Sequence, residues 1–227
     1  MSKRIALVLA AGVGSRMNND TPKQFIPVNG KPLLIYSLST FNNHEDINDI
    51  YIVTSEDNVD KVKAIVDEYN LNKVRDIIVG GKTRQESVYR GLLGIHNPSN
   101  DDIILIHDSA RPNVTNEIIE NNILVCEKHN AVNTVLPVSD SLVERDGKTT
   151  IDRSNVLTVQ TPQTFRYGLI LEAHQKALKE NITNAGDDAV LVTNLGVSVE
   201  LVEGSKLNFK VTTSEDLEML KALLERK

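Results

Sequence analysis

The chain has 227 residues, 40% of them hydrophobic, which is enough to bury a sizeable core and excludes disorder or a fibre for the whole chain. Its 12 glycines and 7 prolines follow no period and Cys126 is the single cysteine, so collagen and a disulfide framework are excluded too. With 25 basic against 31 acidic side chains the formal charge is −6, which argues against a protein whose work is gripping a nucleic-acid backbone.

Short apolar runs alternate with helix-period segments almost from end to end, the mark of an α/β fold with a mostly parallel sheet. The opening MSKRIALVLAAGVGSRM holds an apolar run, Ile5 to Ala11, that is too short for a signal peptide and reads as a strand at Ile5 to Ala10. No segment approaches the roughly 20 apolar residues that a bilayer requires. Without a secretory signal, Asn113-Val-Thr115 and Asn181-Ile-Thr183 carry no weight as glycosylation sites. These features suit a cytoplasmic enzyme with neither nucleic acid nor membrane as partner.

Further strands are expected at Ile50 to Thr54, Asp76 to Val79, Ile103 to His107 and Asn133 to Val138, their Ile, Val and Leu content predicting burial on both faces. Between them Val59, Val62, Val66 and Tyr69 recur at helical spacing, as do Val88, Leu92 and Ile95, and then Ile118, Ile119, Ile123 and Cys126. The polar stretch Ser139 to Val156 breaks the pattern, and Asp146-Gly147 with alternating flanks predicts a β-hairpin. An isolated hairpin is marginal in water, so this one needs a surface to lean on, most economically in a second copy of the chain. Strands near Val197 to Val202 and Asn208 to Thr212 lead to a helix capped by Thr213 or Ser214, with Glu215 and Asp216 in its first turn and Leu217, Leu220 and Leu224 on one stripe. The expected architecture is a single doubly wound α/β domain over 1–227, with residues 139–156 projecting as a β-arm and no second catalytic domain fused after the last helix.

The loop after the first strand, Leu9-Ala-Ala-Gly-Val-Gly-Ser-Arg-Met17, lies where ligands of open parallel sheets bind, and its glycines let N–H groups approach a phosphate closely. Alone it is equally consistent with a tight structural turn. Met17 stands where a dinucleotide fingerprint needs glycine, no acidic residue follows at the ribose-binding distance, and no Gly-Lys-Ser/Thr closes a Walker loop. What remains is a glycine loop with two cations, Arg16 and Lys23, the second restricted in direction by Pro22. None of the five histidines has metal-ligand spacing; His107 is expected to play a structural part and Cys126 to lie in the core.

Leu9-Ala-Ala-Gly-x-Gly-Ser-Arg-Met17 with Pro22-Lys23-Gln24-Phe25 resembles the start of the cytidylyltransferases that activate polyol phosphates. Further matches are Gly80-Gly-x-x-Arg84-x-x-Ser87-Val88, His107-Asp108-Ser-Ala-Arg111-Pro112, Gln160-Thr-Pro-Gln163-x-Phe165 and Asn208-Phe-Lys210-x-Thr212 before Asp216-Leu217. The resemblance is greatest to the 2-C-methyl-D-erythritol 4-phosphate cytidylyltransferase family, with the ribitol-5-phosphate cytidylyltransferases as near relatives.

That resemblance implies transfer of CMP from CTP to a polyol phosphate with release of pyrophosphate, 2-C-methyl-D-erythritol 4-phosphate being the preferred acceptor and ribitol 5-phosphate the alternative. It implies Arg16, Lys23 and Lys210 as the cations on the triphosphate. Ala10, Ala11, Gly12, Gly14 and Ser15 would form the CTP cradle, with Gly81, Arg84 and Ser87 around cytosine. Asp108, Arg111, Ser141, Arg153 and Thr161 would meet the acceptor, Thr161 as a wall position. In the family the arm carrying Ser141 and Arg153 crosses a dimer interface to the neighbouring subunit's acceptor, so a homodimer is implied.

The chemistry agrees with these residue types. An acceptor phosphate already carries about −1.5 to −2 charges and needs no general base, only cations and alignment. Mg²⁺ is expected on the triphosphate, with Asp108 as its candidate ligand. Other readings stand beside these: Arg84 as a solvated first-turn residue behind a Thr83 cap, Asp108 and Arg111 paired only with each other, and Lys210 as a surface charge in a strand. Gly186-Asp187-Asp188-Ala189 departs from the family's Thr-Asp-Asp/Glu-Ala, Ser141 stands where threonine is usual, and Asp108-Ser-Ala-Arg111-Pro112 is intermediate between the two branches, departures that bear on the acceptor rather than on the chemistry.

Overall fold

In the computed structural model, which describes residues 2–12 and 21–225, an apolar first strand, β1 (Arg4–Leu9), is followed by a small hairpin of β2 (Pro27–Val28) and β3 (Lys31–Pro32), then α1 (Leu33–Asn43). Alternation continues through β4 (Asp49–Thr54), α2 (Val59–Glu68), β5 (Val74–Val79), α3 (Arg84–Leu93), β6 (Ile103–Asp108), α4 (Asn116–His129) and β7 (Ala131–Pro137). A hairpin of β8 (Leu142–Val143) and β9 (Thr150–Ile151) precedes β10 (Leu157–Arg166), α5 (Tyr167–Lys179), α6 (Asp188–Thr193), β11 (Glu200–Glu203) and α7 (Ser214–Leu224).

Seven strands form one sheet in the order β11-β7-β10-β6-β1-β4-β5. All neighbours run parallel except where β10 lies antiparallel between β6 and β7. Period-two alternation divides β1 between two cores: Ala6 and Val8 pack with α1, α2 and α4, whereas Ile5 and Leu7 pack with α3, α5 and α6. Gly91 lets α3 come close, since a Cβ there would stand 2.8 Å from Val53 Cγ2. A third cluster, Ile26, Val28, Leu33, Val211, Leu217 and Leu220, joins the β2–β3 hairpin to α7.

The doubly wound class and the 139–156 hairpin are as expected, with Leu142 opposite Ile151 and Gly147 at φ +73° in the turn. Four details differ. Asn208 to Thr212 is not a strand: its two buried residues tie it elsewhere, Val211 N donating to Ala110 O at 2.8 Å and Asn208 Nδ2 to Thr161 O at 2.9 Å. Strand β5 is an edge strand with exposed positions rather than one buried on both faces. The strand from Asn133 stops at Pro137, short of Val138. Finally, β10 is a long strand that apolar patterning does not reveal, because most of its buried residues are polar: Gln163 Nε2 donates to Asn133 Oδ1 at 3.0 Å and Thr164 Oγ1 to Asn122 Oδ1 at 2.9 Å.

Candidate active site

The chain passes from β1 to β4 and β5 on one side and then crosses to β6 on the other, and at this switch point the carboxyl ends of β1, β4 and β6 open onto a cleft of about 500 Å³. Ala11 and Gly12 from the first loop line it together with Ser55, Asp108 and Lys210. Gly14, Ser15 and Arg16 lie outside the described residues.

Lys23 begins a single 3-10 turn, Lys23–Phe25, that Pro22 enters with φ −54°. Gln24, buried behind it, donates Nε2 to Ala10 O at 2.8 Å, and Phe25 is buried beneath the Lys61 ammonium, which sits 4.2 Å from the ring centre. Lys23 therefore projects into the cleft from a turn fastened to the first strand. Ala10 does not line the cleft; its carbonyl anchors this turn.

On the opposite wall Gly80-Gly81 lead into α3. Thr83 caps the helix, its Oγ1 accepting from Glu86 N at 3.1 Å. The Ser87 hydroxyl accepts from Gly81 N–H at 3.0 Å and donates to Thr83 O at 2.8 Å, so it shapes the loop from within the wall. A Cβ on Gly81 would come within 2.2 Å of Glu86 Cγ, a contact that requires glycine.

Arg84 is not a solvated first-turn residue. Its guanidinium forks between two carboxylates, Nε to Asp108 Oδ1 at 3.2 Å and Nη1 to Asp188 Oδ2 at 2.7 Å. Lys210 Nζ holds the other Asp108 oxygen at 2.7 Å. Burial opposes ionisation of Asp108, but Arg84 and then Lys210 outweigh it and keep the carboxyl well below the usual carboxylate range. Asp188 is lowered too, burial again being overcome by Arg84 and then His174, whose Nε2 lies 3.1 Å from Asp188 Oδ1. Arg111 takes no part in an ion pair with Asp108: it donates Nη1 to Asn208 O at 2.9 Å and Nη2 to Val159 O at 3.2 Å, bracing the Lys210 segment against β10.

Thr161 holds the Asp108 backbone from behind, its Oγ1 accepting from Asp108 N–H at 3.1 Å and lying 3.2 Å from His107 Nδ1. His107 is fully buried and structural, as expected, and Cys126 is in the core. Burial lowers the His107 pKa to about 4. Ser141 and Arg153 are exposed on the hairpin and do not line the cleft; Arg153 Nη1 donates to Ser139 O within the arm. The structure thus gathers Lys23, Gly81, Arg84, Ser87, Asp108 and Lys210, and leaves Arg111 and Thr161 as braces. Sequence reasoning passes over Asp188 and His174; the one signal for Asp188 is its place in the Gly-Asp-Asp-Ala stretch.

Among the described lining residues Lys23, Lys82, Arg84 and Lys210 face a single carboxylate, Asp108, an excess of positive charge in a chain of net charge −6. Such a cleft is built for a polyanion. Among the described residues no group of three His, Cys, Asp or Glu side chains is placed to hold a metal ion. No helix among them is long and apolar enough to cross a membrane.

Comparison with known proteins agrees with the geometry. The family model described as IspD: 2-C-methyl-D-erythritol 4-phosphate cytidylyltransferase matches residues 4–226. The enzyme of that name from Clostridium botulinum is 43% identical over 230 residues, covering 100% of this chain and 99% of the relative; the one from Clostridium novyi is 44% identical over 99% and 98%. The crystal structure of 4-diphosphocytidyl-2C-methyl-D-erythritol synthase from Anaerococcus prevotii matches with a TM-score of 0.85 at 30% identity, over 99% of this chain and 96% of that one. With a cationic cleft at the switch point, Lys23 and Lys210 lining it, and these likenesses over its whole length, the chain belongs to the 2-C-methyl-D-erythritol 4-phosphate cytidylyltransferase family.

Proposed function

We propose that this protein transfers CMP from CTP to 2-C-methyl-D-erythritol 4-phosphate, releasing pyrophosphate and giving the CDP-alcohol used in isoprenoid precursor synthesis. The observation that carries the reading is the cleft of about 500 Å³ with four cations to one carboxylate at the switch point of the sheet. The family's whole-length match supports this acceptor over ribitol 5-phosphate.

An oxygen of the acceptor phosphate attacks the α-phosphorus and the bond to pyrophosphate breaks in line, so two anions must be held together while charge grows on the leaving group. Lys23 and Lys210, with Arg16, meet that charge. The Gly80-Gly81 turn and Ser87 shape the base pocket, and Asp108 faces the acceptor hydroxyls. Mg²⁺, when bound, draws charge off the triphosphate oxygens. The donor set fits a cation brought in by the nucleotide rather than a resident one, because Asp108 is the single carboxylate among the described lining residues and each of its oxygens already faces a cation. The β8–β9 arm, exposed and carrying Ser141 and Arg153, is proposed to reach a second copy's acceptor site in a homodimer. A cytoplasmic setting, where nucleoside triphosphates are made, belongs to the same proposal.

The test is pyrophosphate release by the purified chain with CTP and Mg²⁺, run in parallel with 2-C-methyl-D-erythritol 4-phosphate and with ribitol 5-phosphate. Release with the first and background with the second is the expected result. Release with ribitol 5-phosphate alone would overturn the acceptor assignment.

A further inference from the structure

Four charges alternate in sign from the interior to the cleft: Asp188, Arg84, Asp108 and Lys210, joined at 2.7, 3.2 and 2.7 Å. The inner end is sealed. Asp188 and His174 are each 1% exposed, neither lines the cleft, and Tyr89 stacks on the His174 ring with centroids 6.2 Å apart. Asp188 N–H donates to Gln163 Oε1 at 3.1 Å, which ties the start of α6 to β10.

A carboxylate whose task was only to fasten the segment around α6 to α3 would be an odd choice, since a buried ion pair is weak evidence for stability. That fastening exists already in neutral form: Gln85 Nε2 donates to Ile182 O at 2.6 Å and Ala185 N–H to Gln85 Oε1 at 2.9 Å. The charge on Asp188 holds the Arg84 guanidinium far more strongly than an amide oxygen would. It takes one arm of the Arg84 fork, so that Asp108 receives a single N–H from Arg84 and keeps its other oxygen toward Lys210 and the cleft.

We propose that Asp188, seated by His174, is a positioning residue that acts through Arg84 to set the Asp108 carboxylate, and thereby how tightly the acceptor polyol phosphate is held. This deepens the cytidylyltransferase reading and rests on it. With Asp188 neutral, Arg84 turns wholly onto Asp108 and draws it away from both the acceptor and Lys210.

The test uses the full chain. Asp188→Asn keeps the shape and removes the charge, and is expected to raise KM for 2-C-methyl-D-erythritol 4-phosphate about tenfold while KM for CTP stays within about twofold. Asp188→Glu, which restores the charge, is expected to recover most of that loss. Combined with Asp108→Asn, Asp188→Asn should add nothing further, because the two act on one group. A merely structural Asp188 predicts additive effects, or equal changes in both KM values, and either result overturns the proposal. If Asp188→Asn does not fold, His174→Gln leaves both carboxylates in place and is expected to raise the acceptor KM about threefold; an unchanged KM overturns the proposal. A second readout is independent of turnover: acetylation of Lys210 by an amine reagent, mapped by mass spectrometry against Lys82 of the same cleft, should rise in Asp188→Asn as Asp108 lets go of the ammonium. Wild-type protein without turnover would overturn the reaction assigned above, and Lys210 labelling unchanged by Asp188→Asn would overturn this proposal by itself.

Discussion

Lys23 is aimed by its neighbours. Pro22 restricts the backbone on one side, the buried Gln24 bonds the carbonyl of Ala10, and Phe25 is pinned beneath Lys61, so the backbone that carries the ammonium is in place before a triphosphate arrives. Lys23→Ala is therefore expected to lower kcat by about a hundredfold or more while the thermal midpoint stays close to that of the wild type. Near-normal turnover in that variant would remove Lys23 from the mechanism. The residues that line the cleft are legible in short motifs: Lys23, Gly81, Asp108 and Lys210 each sit in a local pattern that singles them out. The partners of Arg84 were not, because Asp188 is 104 positions away and only packing of α6 beside α3 brings it to the guanidinium. Arg111 also sits in a motif, and the two backbone carbonyls its guanidinium meets lie 48 and 97 positions away, where no local pattern names them.

Among the elements, α7 has the clearest local code and the sequence read it correctly. Thr213 caps Asp216 N–H while the Asp216 carboxylate accepts from Thr213 N–H at 2.9 Å and from Thr212 N–H at 2.7 Å, a reciprocal capping box. This box also anchors the segment that presents Lys210. Thr213→Ala should cost about 1 kcal/mol, read as a lower urea midpoint at unchanged slope. The β8–β9 hairpin is legible from Asp146-Gly147, and the proposed homodimer would give it a surface to lean on. Val143, Leu157 and Val159 are exposed on it and on the strand that follows, apolar surface that a partner would cover. Replacing residues 141–152 by a short Gly-Ser link is expected to give a monomer in analytical ultracentrifugation with a raised acceptor KM. A dimer that survives this deletion would remove the arm from the interface. The Asn208 to Thr212 segment was misread for a physical reason: burial of Asn208 and Val211 mimics a strand, yet these residues are held by β10 and the Asp108 loop rather than by a sheet neighbour.

At the scale of the whole molecule the cleft and the fold's stability share one buried group. His107 lies between Arg111 O at 3.0 Å and Thr161 Oγ1, and burial lowers its pKa from an ordinary 6.5 to about 4. The unfolded chain therefore binds a proton that the native one refuses, so this contribution to stability is complete above pH 6.5 and falls as pH drops toward 4, by about 3 kcal/mol in all at roughly 1.36 kcal/mol per pH unit. Asp108, held below its usual 3.8, adds to the loss only below about pH 5, where the unfolded carboxyl begins to take up its proton. Urea unfolding of wild type and His107→Gln between pH 4 and 7 checks this: the wild-type slope should be steeper, and parallel curves would show that His107 is not the group responsible. Sequence alone settles the α/β class, the edge of the sheet where the cleft opens and the cations that line it, because each of these is written in local periodicity, glycine spacing and charge type. The tertiary structure decides which side chains meet: that a polar β10 enters the sheet antiparallel, that Thr161 and Arg111 brace rather than line the cleft, and that Asp188 stands behind Arg84. Those outcomes depend on contacts between segments far apart in the chain, whose directions are fixed by packing against neighbours that no local pattern specifies.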